Sequence, residues 1–505
     1  MKPCRRFFFS LLLATLLSVS KGYTQSPVYA PFEVDSVASP RGGQSTLETF
    51  LLANLQKPFM AKLVNATGKV IVKATVEADG VLTDVQLVRG LRPDCDQEAM
   101  RVMRLFNAWR PALKAGVPVR QTITYAVPFY ANLPIDAKPR LEGGFWVTQY
   151  LDWQGNVLSG LDAANLPAER LVIITTPVDA FGHTIGDAKV VNRGPLGSKT
   201  HSIYYFRFHE LPSTSQTVRA FQSALTTPTC SMHGEVLTRT QNGRIRSSAW
   251  YNRYQLYEQR TFFDNGLVEE LRERQGELIR VATWYPNGQL KQVSYFNAQP
   301  KTDYDETLVT DYWDSTGVQT IRDGVGLLRW VETVASLKDT SVSTYFIQQA
   351  GYKQGLKNGL GTGSFVDGSY RYTETYDSGI CRGGFSVNAT GDTVRYTTPY
   401  QAPVFRDGLA AQELFFKTEL MYPLKLKRTG IRGSTWVKFL ISPTGALSNY
   451  SFSHTLHPDL EAEVVRVLDA SKGRWQPAMV RGEPIATTHQ LLFMFQLDLL
   501  PGIRF

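Results

Sequence analysis

The sequence predicts an α+β chain in which two small α/β-hairpin domains, 45–132 and 405–498, flank a β-rich repeat region. Three observations carry this. The phrase WRPALKAGVPVR at 109–120 returns near the other end as WQPAMVRGEPIA at 475–486. The residues ahead of each phrase alternate apolar with polar and then switch to helical spacing. Between the two phrases, turns carrying Gly after an aromatic recur at short intervals, in a chain with 40 Gly, 27 Phe, 23 Tyr and 9 Trp.

Length and composition bound the rest. A chain of 505 residues exceeds what one core organises, and 43% hydrophobic with 20% charged residues is a folded composition. The first 22 residues hold Lys2, Arg5, Arg6 and Lys21 without an acid, and a 14-residue apolar run extends from Phe7 to Ser20. That reads as a secretory signal, residues 1–22, followed by a linker, 23–44. A membrane span wants about 20 apolar residues, so cleavage is expected over retention as an inner-membrane anchor. The net charge of +9 includes those four N-terminal cations, and no Lys/Arg stripe elsewhere argues for nucleic acid. Beyond the signal stand Cys95, Cys230 and Cys381, an odd and widely spaced trio without C-x-x-C, read as isolated thiols.

The elements of each end domain follow in order. A leading helix is expected over 46–58, capped at Ser45, and its counterpart over 410–423. After Gly68, Val70, Val72, Ala74 and Val76 alternate with polar residues, as Thr435, Val437, Phe439 and Ile441 do after Gly433. Asp-Gly at 79–80 and Thr-Gly at 444–445 turn the chain into a second strand. Ala99, Val102, Met103 and Phe106 then mark an amphipathic helix, matched by Val464, Val467 and Leu468. Trp109, Pro111, Gly116 and Pro118 repeat as Trp475, Pro477, Gly482 and Pro484 at an offset of 366, and are expected to end the helix, cap the core and start a final strand. Upstream, Pro58, Gly68, Gly80, Pro93 and Asp94 repeat as Pro423, Gly433, Gly445, Pro458 and Asp459 at an offset of 365. This is a duplicated domain.

In the middle, FFDNGLV (262–268), WYPNGQL (284–290) and the weaker YWDSTGV (312–318) and LDWQGNV (151–157) share one plan, with Gly243, Gly266 and Gly288 spaced 23 and 22 apart. GLKNGLGTGSFVDGSYRY (355–372) aligns with GICRGGFSVNATGDTVRY (379–396) at an offset of 24. A run of hairpins over 231–400 follows, whether as true repeats or as an ordinary antiparallel sheet with good turns. Residues 140–230 are β-rich without further definition.

The end-domain pattern, a helix ending before Pro, a G-x-V-x-V hairpin, a helix, W-x-P-A, G-x-P and an aromatic last strand, resembles the C-terminal domain of TonB-family energy transducers. The middle units resemble MORN-type repeats, including the variant of YwqK-like antitoxin proteins. The first resemblance implies a periplasmic or cell-envelope, non-enzymatic protein linked to energy-dependent transmembrane transport, whose end domains capture a peptide segment of an outer-membrane receptor or another envelope protein by strand addition. The residues 23–44 are too short for the periplasm-spanning linker of that family. A helix, strand, strand, helix, strand order leaves a sheet edge uncovered beside the last strand. On that strand Thr487, His489, Leu491, Phe493 and Phe495 are expected on one face, with Gln490 and Gln496 on the other. In the first copy Gln121, Ile123 and Tyr125 take the matching positions, and Pro128 removes one donor, so the C-terminal copy is favoured for binding. Two other readings stay open: a secreted β-repeat scaffold or antitoxin-like interaction protein with the end domains as caps, and an enzyme with its site in 140–230.

No chemistry is signalled elsewhere. The seven histidines, His183, His201, His209, His233, His454, His457 and His489, contain no H-x-H or H-E-x-x-H spacing, so neither a metal nor a cofactor is expected. GLGTGSF at 359–365 lacks the Lys-Ser/Thr of a phosphate loop and reads as repeat turns. His454, His457 and Asp459 read as a polar loop and not as part of a triad.

Overall fold

The computed structural model describes residues 26–495 apart from 133–134, 153–156, 168–169, 194–198, 212–219, 227–231, 253–254, 299–306, 427–429 and 454, together with 502–504. The expected signal, Cys4, Cys230, His454 and Gln496 lie outside the described residues, as do most of LDWQGNV and the last positions of the segment 405–498. At 53% strand and 16% helix the chain is mostly β, which corrects the α+β expectation. The helices belong almost entirely to the two end domains, and the long middle is strand after strand.

The chain divides into two compact units. The first runs to Ile203 and takes in Asn287–Gln289, and holds the first copy. Its leading helix spans Gln44–Asn54, followed by a short helix Phe59–Leu63. The expected helix over 46–58 is therefore shorter, ending at Asn54 with Leu55 already extended, and a separate short helix starts after Pro58, which also disfavours helical backbone at the residue before it. The cap also differs. Gly43 occupies it at φ 93, and the Thr46 hydroxyl donates back to the Gly43 and Arg41 carbonyls at 2.8 Å each.

The hairpin Gly68–Val76 and Leu82–Arg89 buries the alternating set as expected: Val70, Val72, Ala74 and Val76 are each at most 2% exposed. Ala99, Val102, Met103 and Phe106 of the helix side close the core at 0%. The final strand Val117–Phe129 pairs with Gly68–Val76, so the hairpin's first strand is central. Asn287–Gln289, part of WYPNGQL, packs in the same unit: Asn107 N–H donates to the Asn287 carbonyl at 2.8 Å, and Gly288 lies against Phe50 and Phe106. Beyond the copy, Phe145–Asp152 pairs with Asp136–Pro139 and with Leu171–Val178, which pairs on with Ala188–Arg193.

The second unit holds Tyr204–Pro286 and Leu290–Phe505. From Tyr205 to Tyr396 each described strand pairs antiparallel with the next, an uninterrupted meander. Gly243, Gly266 and Gly317 close hairpins with positive φ, each preceded by a register shift, which at Gly266 and Gly317 falls at the aromatic before the turn, Phe262 and Trp313. GLGTGSF is corrected by this meander. It lies in the strand Leu356–Phe365, and a Cβ at Gly361 or Gly363 would press into the rings of Tyr376 or Tyr372 on the neighbouring strand. These glycines make room for stacked tyrosines instead of forming turns.

The second copy repeats the first within this unit. The leading helix spans Gly408–Glu419, the hairpin strands Gly433–Ile441 and Leu447–Phe452, the second helix Pro458–Ala470 and the final strand Thr487–Phe495. Its core joins Phe405, Phe416, Val437, Phe439, Ile441, Val464, Val467, Leu468 and Trp475 with the final strand.

Candidate functional site

The repeated Trp phrase builds the base of each copy. Trp109 and Trp475 are 3% and 2% exposed and stand edge-on to Phe106 and Phe405, with ring centroids 5.6 and 5.3 Å apart. Their backbone also explains the hairpin glycines. Gly80 and Gly445 sit at φ 88 and 80, and a Cβ on either would drive into the carbonyl of Trp109 or Trp475. The hairpin turn and the Trp phrase thus meet at one point in both copies. After the Trp, Ala112–Lys114 and Ala478–Val480 are short strands that reverse through Ala115-Gly116 and Arg481-Gly482, both residues of each pair at positive φ. That is a two-residue primed hairpin turn, so Gly-x-Pro is more than a helix terminator.

A second duplicated device lies outside the Trp phrase. Arg101 is paired with Glu98 at 2.6 Å and donates to the Asn54 carbonyl at 2.7 Å, while Glu98 accepts from the Gln56 N–H at 2.6 Å. Arg466 and Glu463 do the same to the Glu419 carbonyl and the Met421 N–H, at 2.6 and 2.8 Å. The pair ties off the C-terminus of the leading helix, where carbonyls lack partners and a cation is favoured. Its signal in the sequence is E-x-x-R, repeated at the same offset of 365.

The final strand carries the candidate interface, and in both copies a short piece of this chain already lies on its outer edge. In the first, Val28–Tyr29 pairs parallel with Arg120 and Gln121. The strap is held by side chains: Arg120 donates to the Ser26 carbonyl at 3.0 Å, Lys114 lies 4.0 Å from the Tyr29 ring centroid, and Ala38 N–H donates to the Gln121 side chain at 2.6 Å. Arg120 also binds Glu77 at 2.7 and 2.9 Å, and this partner holds the Glu77 carboxyl below its usual range. In the second copy, Gly502–Arg504 pairs antiparallel with Leu492–Met494. The expectation of a bare edge is corrected accordingly. Among the described residues, the strand neighbours leave Thr122–Phe129 and Thr487–Leu491 unpaired on that side.

The expected contact residues divide by face. Leu491, Phe493 and Phe495 are 3%, 0% and 0% exposed and fill the core, while Thr487 and His489 are half-buried. His489 lies between the Phe439 and Trp475 rings, at centroid distances of 5.6 and 5.3 Å, and burial pushes its pKa down. Thr488 and Gln490 are exposed on the opposite face. In the first copy Gln121 is buried beneath the strap, Ile123 is half-buried, and the half-buried Tyr125 hydroxyl accepts from Gln44 at 3.0 Å.

The Arg481-Gly482 turn is seated within the second unit. Glu374, 2% exposed, accepts from Arg481 Nε at 2.9 Å, from the Tyr396 hydroxyl at 3.0 Å and from the Tyr376 hydroxyl at 2.8 Å. The Arg481 guanidinium also lies 3.5 Å from the Tyr372 ring centroid, and a Cβ on Gly482 would come within 2.5 Å of Val394. Gly116, its counterpart, has nothing within 4 Å of such a Cβ.

Other expected features resolve simply. His457 Nδ1 accepts from the Asp459 N–H at 3.1 Å and caps the second helix, so its lone pair is engaged locally. Cys95 and Cys381 are free thiols, and burial raises Cys95 to about 11. No helix among the described residues is long and apolar enough to cross a membrane.

Residues 54–130 and 418–497 match the family of the Gram-negative bacterial TonB protein C-terminal. No curated protein matches the chain. The two matched segments coincide with the two copies, and the chain carries two TonB C-terminal domains.

Proposed function

We propose that this is a non-enzymatic protein of the Gram-negative cell envelope whose TonB C-terminal domains bind an extended peptide segment of an outer-membrane transport receptor, or of another envelope protein, by strand addition. One observation carries this reading. The outer edge of the final strand accepts a parallel strand in the first copy and an antiparallel one in the second, so the same edge chemistry is used in cis twice. A sheet edge presents N–H and C=O groups in a row, and an extended peptide gains main-chain hydrogen bonds there whatever its sequence. Specificity then falls to the exposed face, Thr488 and Gln490 in the C-terminal copy, because Leu491, Phe493 and Phe495 are committed to the core.

The test is disulfide trapping in the full chain. A receptor-derived peptide carrying one cysteine is presented to Thr488→Cys and Gln490→Cys variants with the native cysteines replaced. Strand addition predicts trapping at alternate peptide positions, since side chains on one face recur every two residues. Peptide binding without that two-residue alternation refutes the geometry, and absence of binding refutes the function.

A second reading has its own observation. The Arg481 turn of the second copy is bound to Glu374 of the meander, as a domain acting as a cap would be. On this reading the second copy closes the repeat scaffold and the first copy alone captures peptide. Trapping confined to first-copy cysteines would select it.

A further inference from the structure

We propose that the second unit's meander contains a binding site for a small organic anion with a flat apolar body. The site is a cavity of about 530 Å³, within the range that encloses small-molecule ligands. It is independent of the strand edges of the end domains.

Its walls decide the ligand class. Tyr312, Trp330 and Tyr352 give aromatic surface and Leu328 and Ile380 aliphatic surface, suited to a flat apolar body. The charged lining groups are Lys291 and Lys357, and among the described residues no carboxylate lines the cavity. A metal ion or an organic cation would meet two ammonium groups and, among the described residues, no carboxylate in the lining. A fully apolar ligand would leave those ammonium groups poorly solvated. An anionic head with a ring body satisfies both surfaces.

Lys357 is the anchor. Its ammonium lies 5.1 Å from the Tyr376 ring centroid, and burial lowers its pKa. The nearby carboxylate, Glu374, is engaged by Arg481, Tyr376 and Tyr396. Among the described residues none accepts a hydrogen bond from Lys357. Lys291 is likewise held by a ring face, 5.7 Å from the Tyr285 centroid. Both cations are thus positioned by aromatic faces, leaving their donors available to an incoming anion.

The experiment uses two fluorescent probes with nearly the same body. One, 1-anilinonaphthalene-8-sulfonate, is anionic, and the other, N-phenyl-1-naphthylamine, is neutral. Calorimetric titration of the full chain should show one saturable site for the sulfonate. Lys357→Gln should weaken it about 10-fold or more, as expected for losing a charge-assisted hydrogen bond, whereas Lys357→Arg should retain it. The neutral probe should change less than about twofold in Lys357→Gln on the same scale. Trp330→Ala should weaken both probes, and Lys353→Gln, on the exposed part of the same turn, neither. Thermal transitions of each variant report folding. A sulfonate affinity unchanged in Lys357→Gln, or the absence of a saturable site, overturns the proposal.

Discussion

Replacing Arg481 by Met tests the seating of the second domain on the meander. The perturbation removes a guanidinium that is 20% exposed from a carboxylate that is 2% exposed. Leaving a buried charge without its partner costs about 3–5 kcal/mol. Two features move the figure in opposite directions. The Tyr376 and Tyr396 hydroxyls still donate to Glu374, retaining part of its solvation, while the stacking of Arg481 on Tyr372 is lost. A cation over a ring contributes about 0.5–2 kcal/mol, so a net loss of about 3 kcal/mol is expected. Glu374→Gln should cost less, about 1–2 kcal/mol, because Arg481 keeps some access to water. The double variant should be milder than the sum, with a coupling of about 2 kcal/mol. Hydrogen exchange of amides in Thr393–Tyr396 and Ala478–Ile485 reads local opening without requiring the whole chain to unfold in two states. Arg382→Met, which breaks a pair exposed at 56% and 58%, serves as a control and should stay within about 0.5 kcal/mol. If Arg481→Met changes protection no more than Arg382→Met does, the ion pair does not hold the domain.

Gly80→Ala and Gly445→Ala combine positive φ with a collision against a Trp carbonyl, and each should destabilise its domain by at least about 2 kcal/mol. Gly116→Ala shares the positive φ but meets nothing, so chemical denaturation should show a loss of only about 1 kcal/mol. His489 has its pKa lowered by burial, so the unfolded chain binds the proton more readily than the folded one. Stability of the second domain should therefore be full above the ordinary histidine value near 6.5 and fall as pH drops below it; thermal scans should show this slope flattened in His489→Gln. Phe493→Ala, at 0% exposure, should cost about 3–5 kcal/mol by thermal or chemical unfolding, with peptide capture lost only in proportion to folding.

What is legible in the sequence is what periodicity encodes. Val70, Val72, Ala74 and Val76 announce their burial because a strand side chain alternates between two environments, and the offset of 365 by itself locates the second copy. Polar partnerships across long separations are less legible. Arg481 meets Glu374 across 107 positions, and nothing in either neighbourhood marks the other. Gly361 and Gly363 of GLGTGSF mislead for a related reason: they serve tyrosine rings on the next strand, where a local reading assigns them to turns. The final strand reads as a bare edge because the order of elements says which strand ends a sheet, but not that Val28–Tyr29 or Gly502–Arg504 returns to cover it.

Those two returning pieces set a threshold for any incoming strand. A tethered segment is present at an effective concentration on the order of millimolar, so it competes at a fixed level whatever the concentration of free peptide. The apparent affinity of a peptide that needs the covered register is its intrinsic affinity scaled by the fraction of time the edge is open. A ligand reaching only Thr122–Phe129 or Thr487–Leu491 escapes this handicap, whereas a longer one meets it at Arg120–Gln121 or Leu492–Met494. Peptide length thus becomes a discriminating variable on this edge, alongside side-chain identity.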